Sequence, residues 1–370
     1  MTISESNAAI KTIRSRAYRL LRPYQVEEVE IEHAMKPGDV VVRPLLGSIC
    51  HADLRYFTGR RRPESLAAKL PMALIHEGIG EIVESAAEEF QPGRRVAIVP
   101  NIPDYRTPDR RSREQLLSRP PSIEDNYPPN GRFLGSGTDG IAQSHLVLPA
   151  YCVVPIPQEV PDDIAVLTEL SSISHQALQS VTHLLDNAVI AVFGDGPVGY
   201  LTAALIHHYY KVGPKRLKAF GAIAEKLDNF VFATRDLVTE PDFIKRHAGT
   251  VDIAIECAGG KYSSAAINQA IDVLKPGGIL ILLGVSEELV PINTRDILEK
   301  GITVLGSSRS SFRDFHAVIG AMKDPEYQKT LRRLVPDHTH KIASAEDFAA
   351  VMKHTSENPY WRKVYLQFEW

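Results

Sequence analysis

Cysteine is scarce in this chain, with three among 370 residues, at Cys50, Cys152 and Cys257. So small and odd a count excludes a disulfide framework. In a reducing compartment, a Cys near His and carboxylates reads as a metal ligand or catalytic group rather than half of a bridge. Long apolar runs are missing too: none approaches the ~18 residues that predict a membrane span. Charge of one sign is also lacking, since 42 Lys and Arg stand against 45 Asp and Glu with no basic block, which argues against a nucleic-acid footprint. The amino-terminal MTISESNAAIKTIRS has no apolar core of the secretory kind, and a cytoplasmic setting is the expectation.

What is present fits a soluble globular protein, with 44% hydrophobic and 24% charged residues. The length allows two domains. From about residue 16 to 150 the chain reads as short strands between turn signals, in SRAYRLLRP, DVVVRPLLGSIC, GIGEIVES, RRVAIVP and SHLVLPA. Between Pro100 and Gly131 the composition turns to Pro, Arg, Asp and Ser, predicting a surface excursion with helix around Arg113 to Leu117. At Asn187 the pattern changes. NAVIAVF suits a buried parallel strand, GDGPVG a tight turn and VGYLTAALIHHYY a helix. RLKAFGA, NFVFAT, VDIAIECAGG, GGILILLGV and ITVLGSS bring the strands to six, with helices predicted in SSAAINQAIDVLK and NTRDILEK. This is the grammar of an α/β doubly wound parallel sheet. Two further helices, in FRDFHAVIGAMKD and AEDFAAVMKH, and a closing strand, RKVYLQF, are expected to return to the first domain.

Gly194-Asp195-Gly196-Pro197-Val198-Gly199 has GxGxxG spacing where a buried strand meets a helix. The first glycine permits the tight turn, the second lets backbone approach a pyrophosphate and the third permits close helix packing. The alternative is a merely structural glycine turn. An NAD site normally ends its second strand on Asp or Glu; here that strand ends at Gly221, with Lys226 one helical turn on. We therefore expect NADP(H). The competing reading gives the acidic role to Glu225 and leaves Lys226 solvated.

Cys50, His76-Glu77 and Glu169 form the candidate zinc set, since catalytic zinc takes three N, S or O ligands and keeps a fourth position open. Singly, each has a bland reading as a packed thiol or a satisfied core residue. Nearly the whole chain, however, resembles the zinc-containing medium-chain alcohol and polyol dehydrogenases, in which a GroES-like β domain is joined to a Rossmann domain. That resemblance implies the first in residues 1–170 and 308–370 and the second in 171–307. Cys50-His51-Ala52-Asp53 is similar to the first ligand segment, His76-Glu77-Gly78 to the second, and Glu169 in LTELSSISHQAL to the position where sorbitol-type members use Glu. The resemblance implies that Asp53 orients the ligand His and that Glu77 lies next to the metal. Two departures stand out. Ala52 replaces the relay hydroxyl, and the four-Cys structural zinc lobe is missing. One zinc per chain is expected, with Cys152 and Cys257 as packing residues.

SICHADLRYFTGRR, KLPMALIHEGIGE, VPNIP, AINQAIDVLKPGG, LLGVSEELVPINTRDILEKG and GSSRSS resemble one branch, the ribulose-5-phosphate reductases that act with a cytidylyltransferase to make CDP-ribitol for teichoic acids. This implies NADPH-dependent reduction of ribulose 5-phosphate to ribitol 5-phosphate. Arg61 and Arg309 are the candidates for the substrate phosphate, because an Arg fork binds phosphate in bidentate fashion; Lys69 and Arg55 are weaker candidates. ILILLGV resembles the family's dimer-edge strand, so a homodimer is expected. The alternatives are an NAD-dependent zinc polyol dehydrogenase and a catalytically silent binding protein of the same fold.

Overall fold

The structure, a computed structural model, describes residues 11–104, 113–358 and 361–370. By contact it divides into two units, 1–156 with 338–358 and 365–370, and 157–337 with 359–364. Residues 157–170 and 308–337, which the sequence reading grouped with the β-rich part, cluster with the parallel sheet. The helix Thr168–Leu178 packs there on both Pro197–His208 and Phe312–Ala321.

The first unit is built on antiparallel strands, as the alternating pattern predicts. Lys11–Arg22 pairs with Gln25–Met35. A second sheet runs in the order Val153–Pro155, Arg95–Ile98, Glu77–Ser85, Asp39–Ser48, Tyr365–Phe368, Thr339–Ile342, with Leu146–Pro149 also on Asp39–Ser48. The closing strand thus does return, placing Tyr365 opposite Ser48. Two glycines let the strands Asp39–Ser48 and Glu77–Ser85 lie close. A Cβ on Gly78 would come within 2.8 Å of the Leu46 carbonyl, and one on Gly80 within 2.7 Å of the Arg43 carbonyl. Their register sets Ser48 across from Glu77. Cys50, two residues beyond one strand, therefore meets His76, one residue before the other.

The second unit carries a six-stranded, wholly parallel sheet in the order Thr234–Leu237, Leu217–Gly221, Ile190–Phe193, Val251–Glu256, Leu274–Leu282, Thr303–Gly306. The expected doubly wound α/β sheet is present. Its core includes Phe193, Phe220 and Phe243, in edge contact at 5.1 and 4.9 Å between successive centroids. One strand lies elsewhere than the apolar pattern predicts. NFVFAT is a turn in which Ala233 N–H donates to the Phe230 carbonyl, and the edge strand is Thr234–Leu237. Phe230 is fully buried, its ring edge-on to Tyr200, so its apolarity serves to anchor a turn. An edge strand, by contrast, tolerates polar residues. The seven-residue helices His51–Phe57, Pro63–Lys69 and Pro325–Leu331 were not foreseen, because two turns are too short to show a 3.6-residue period. In the excursion a helix spans Arg113–Ser118; residues 105–112 of it lie outside the described residues. No helix among the described residues is long and apolar enough to cross a membrane.

Candidate active site

In the first unit Cys50, His76 and Glu77 each offer a donor atom, all within 4.8 Å of one another. Cys50 caps the helix His51–Phe57. His76 is presented by Ile75, which holds the left-handed φ of +70°, a conformation that costs a β-branched residue on the order of 1–3 kcal/mol. Both backbone groups of Ile75 are engaged: its N–H donates to Asp53 Oδ1 at 3.1 Å, and its carbonyl accepts from Ile141 N–H at 2.7 Å.

Asp53 is fully buried and organises the cluster. Oδ2 accepts from Cys50 N–H at 2.9 Å, and Oδ1 lies 3.2 Å from His76 Nδ1. Burial opposes charge on His76, but the Asp53 carboxylate outweighs it and holds the imidazole well above its ordinary pKa. With Nδ1 turned to Asp53, Nε2 is the nitrogen left for a metal. A thiol, an imidazole and a carboxylate converging in this way fit zinc. Ala52 places no hydroxyl beside the cluster. Cys152 and Cys257 are buried elsewhere, and burial pushes both thiols far up, so they remain packed thiols.

Arg61 and Lys69 share a neighbour in the same unit. The Arg61 guanidinium lies 4.6 Å from the Tyr56 ring centroid and Lys69 Nζ 5.8 Å. Lys69 Nζ also donates to Ser136 Oγ at 2.8 Å, and Tyr56 Oη is 3.1 Å from the same oxygen. The sequence could not link Ser136 to these cations, since 67 residues separate it from Lys69. Arg55 is half-buried on the same helix as Tyr56.

Glu169 belongs to the second unit, buried in the first turn of Thr168–Leu178. Ser172 Oγ donates to the Glu169 carbonyl at 2.6 Å and lies 2.7 Å from Ser310 Oγ. Arg309, half-buried, therefore sits beside a residue tied one turn from Glu169. His175 Nδ1 meets Asp314 Oδ1 at 2.7 Å, while Asp314 Oδ2 caps its own helix by accepting from Ser311 N–H. This polar seam has one signal in the sequence, the Ser-x-x-Asp cap at Ser311.

The glycine loop has the form a dinucleotide site requires. Gly194 has φ +137°, and a Cβ on Gly199 would lie 2.0 Å from the Gly194 carbonyl oxygen. A Cβ on Gly196 would meet nothing within 4 Å among the described residues, at the start of the helix Pro197–His208. That open place is where backbone can approach a pyrophosphate. Trp361 Nε1 steadies the loop by donating to the Asp195 carbonyl at 3.1 Å. On the other side of the central strand, Glu256 ends Val251–Glu256 and accepts from the amides of Ala258, Gly259 and Gly284. Burial raises its pKa despite these bonds. It ties together the loops after two strands near the topological switch point.

The end of Leu217–Gly221 has no carboxylate of its own, but it is not free of one in space. Asp195 Oδ2 accepts from Ala222 and Ile223 N–H at 2.8 and 2.9 Å, and Lys226 Nζ lies 4.0 Å from Asp195 Oδ1. Glu225 is exposed.

Comparison with known proteins gives two family matches, the alcohol dehydrogenase GroES-like domain over residues 36–158 and the zinc-binding dehydrogenase over residues 215–324. Ribulose-5-phosphate reductase 2 of Staphylococcus aureus is 36% identical over 360 residues, covering 96% of this chain and 99% of the relative. The ribulose-5-phosphate reductase of Bacillus spizizenii matches with the same identity and coverage. Among solved structures, S. aureus TarJ in complex with NADPH superposes with a TM-score of 0.78 at 31% identity, over 97% of this chain and 100% of that one.

Proposed function

This chain belongs to the zinc-binding alcohol dehydrogenase family, and from that premise we propose that it reduces ribulose 5-phosphate to ribitol 5-phosphate with NADPH. The observation that carries the proposal is identity of 36% along 96% of the chain to ribulose-5-phosphate reductases. The Cys50, His76 and Glu77 donor set supports it.

When bound, zinc supplies a Lewis acid for the substrate carbonyl and NADPH supplies the hydride. Cys50, His76 and Glu169 are the proposed metal ligands, with Glu77 beside them. Asp53 holds Nδ1 of His76 and the Cys50 amide, so two ligands are oriented by one carboxylate. Because Ala52 has no hydroxyl to relay a proton, we assign proton delivery at the C2 oxygen to Glu77 or to a water at the site. Arg61 and Arg309 are the proposed contacts to the substrate's phosphate and hydroxyls, with Lys69 beside Arg61. Gly194, Asp195, Gly196, Pro197, Val198 and Gly199 form the proposed cofactor loop, with Gly221 and Lys226 at the adenosine ribose.

ILILLGV does not form the edge: its strand, Leu274–Leu282, is paired on both sides, with Val251–Glu256 and Thr303–Gly306. A homodimer is proposed instead through the edge strand Thr303–Gly306, because Val304, Leu298 and Leu289 are exposed there or close by in sequence, at 40, 80 and 101%. The sugar alcohol phosphate is a substrate suited to a cytidylyltransferase making CDP-ribitol for teichoic acid, in the cytoplasm. No nucleic-acid or membrane partner is proposed.

One observation favours the second reading, an NAD-dependent polyol dehydrogenase: Asp195 sits at the strand end where an acidic residue selects NAD. A spectrophotometric screen of NADPH and NADH against ribulose 5-phosphate, ribulose, xylulose 5-phosphate and sorbitol decides between them. The highest kcat/KM is expected for NADPH with ribulose 5-phosphate. Equal turnover of ribulose would overturn the proposal, and a protein that binds neither zinc nor NADPH and turns over none of these substrates would point to the silent binding protein.

A further inference from the structure

The adenosine ribose of a dinucleotide lies at the carboxyl end of the second strand of a wound sheet, where a strand-end acid or a cation discriminates between a 2'-hydroxyl and a 2'-phosphate. In this chain that strand is Leu217–Gly221. An acid cannot stand at its end without displacing something, because a Cβ on Gly221 would lie 2.7 Å from Asp195 Cβ and 2.9 Å from its Oδ2. The space is already filled by a carboxylate reaching across from the glycine loop. The two amides that follow the strand, on the exposed residues Ala222 and Ile223, both donate to Asp195 Oδ2. Lys226, half-buried, faces the other oxygen.

We propose that Asp195 is the cofactor-discriminating residue of this chain: it takes the acidic role from within the glycine loop and occupies the amides that a 2'-phosphate would otherwise use. The inference rests on reading this loop as the NADPH site. A 2'-hydroxyl can donate to Asp195, whereas a 2'-phosphate brings further negative charge to amides and a lysine already engaged. NADPH binding then requires Asp195 to yield Ala222, Ile223 and Lys226. Asp195 thus narrows the preference for NADPH that Lys226 and Gly221 would otherwise produce.

The test is calorimetric titration of the zinc-loaded full chain with adenosine 2',5'-bisphosphate and with AMP, in wild type, Asp195→Asn and Asp195→Ala. Both variants are expected to tighten the bisphosphate, Asp195→Ala by about 10-fold, the scale of one charge-assisted contact. AMP should weaken by a fewfold in Asp195→Ala, since its 2'-hydroxyl loses the carboxylate to which it donates, so the two ligands move in opposite directions. Asp195→Asn is nearly isosteric and keeps an acceptor for the two amides, so it carries the test if Asp195→Ala does not fold. An unchanged ratio of the two dissociation constants, or a weaker bisphosphate in Asp195→Asn, overturns the proposal. Wild-type kcat/KM for NADPH against NADH tests the cofactor reading separately. A wild type that prefers NADH refutes that reading, while a shift toward the 2'-phosphate in the variants still upholds the role of Asp195.

Discussion

Asp53→Asn is the most informative single change in the candidate metal site. The carboxylate has no exposed surface and makes three contacts, to Cys50 N–H, Ile75 N–H and His76 Nδ1. An amide in its place keeps one oxygen. Turned toward His76 and Ile75, that oxygen preserves two contacts and sets an NH2 against the Cys50 amide; turned the other way, it forfeits the two. The first orientation costs least, and it still leaves a buried donor facing a donor, worth about 1–3 kcal/mol. It also removes the negative charge that supports the His76 imidazole, and loss of such an orienting partner typically lowers metal affinity by about 10- to 100-fold. Zinc affinity, read by competition with a chromophoric chelator, should fall by that factor. Circular dichroism of the folded chain should be retained. The metal-free protein should lose stability as well, by about 1–3 kcal/mol, the cost of leaving the Cys50 amide facing a donor. Zinc affinity within about twofold of wild type in a folded Asp53→Asn protein would refute the claim that this carboxylate orients the ligands.

Elemental analysis should give about one zinc per chain, falling toward zero in Cys50→Ala and in Glu169→Ala; two ions per chain, or full occupancy in either variant, would disprove the ligand assignment. Since the Asp53 carboxylate holds metal-free His76 well above its ordinary pKa against the effect of burial, the metal must displace a proton until the pH passes that raised value. Apparent zinc affinity should therefore strengthen as pH rises from about 6 to 9 and weaken as it falls, and a flat titration would contradict this. Arg61→Ala and Arg309→Ala should each cost roughly 10- to 150-fold in kcat/KM on ribulose 5-phosphate with zinc content unchanged; equal losses on ribulose would show that neither reads the phosphate.

The comparison of sequence with structure separates local signals from distant ones. GDGPVG between a buried strand and a helix was legible because each glycine answers a constraint within six residues, and the structure bears this out at Gly194 and Gly199. The wound sheet was legible because its central strands are continuous apolar runs. The edge strand Thr234–Leu237 was not, because an edge carries polar residues while the nearby apolar Phe230 goes to a turn. Cys50 and His76 stood out through the resemblance of their segments to a family. Their meeting depends on strand register, which puts Ser48 opposite Glu77 and rests on the close approach that Gly78 and Gly80 allow.

By itself, then, the sequence determined the α/β class and the glycine turn, which follow from short-range periodicity, and the residue types of a zinc-type donor set, which follow from segments that resemble a family. Tertiary structure alone decided that the strained Ile75 presents His76, that Lys69 and Tyr56 share Ser136, and that Asp195 fills the space beside Gly221. The physical reason is the same in each case. Hydrogen bonds and charges act through distances of about 3–4 Å in space, and residues 22 to 80 positions apart reach that distance only once the sheets and loops have set their register.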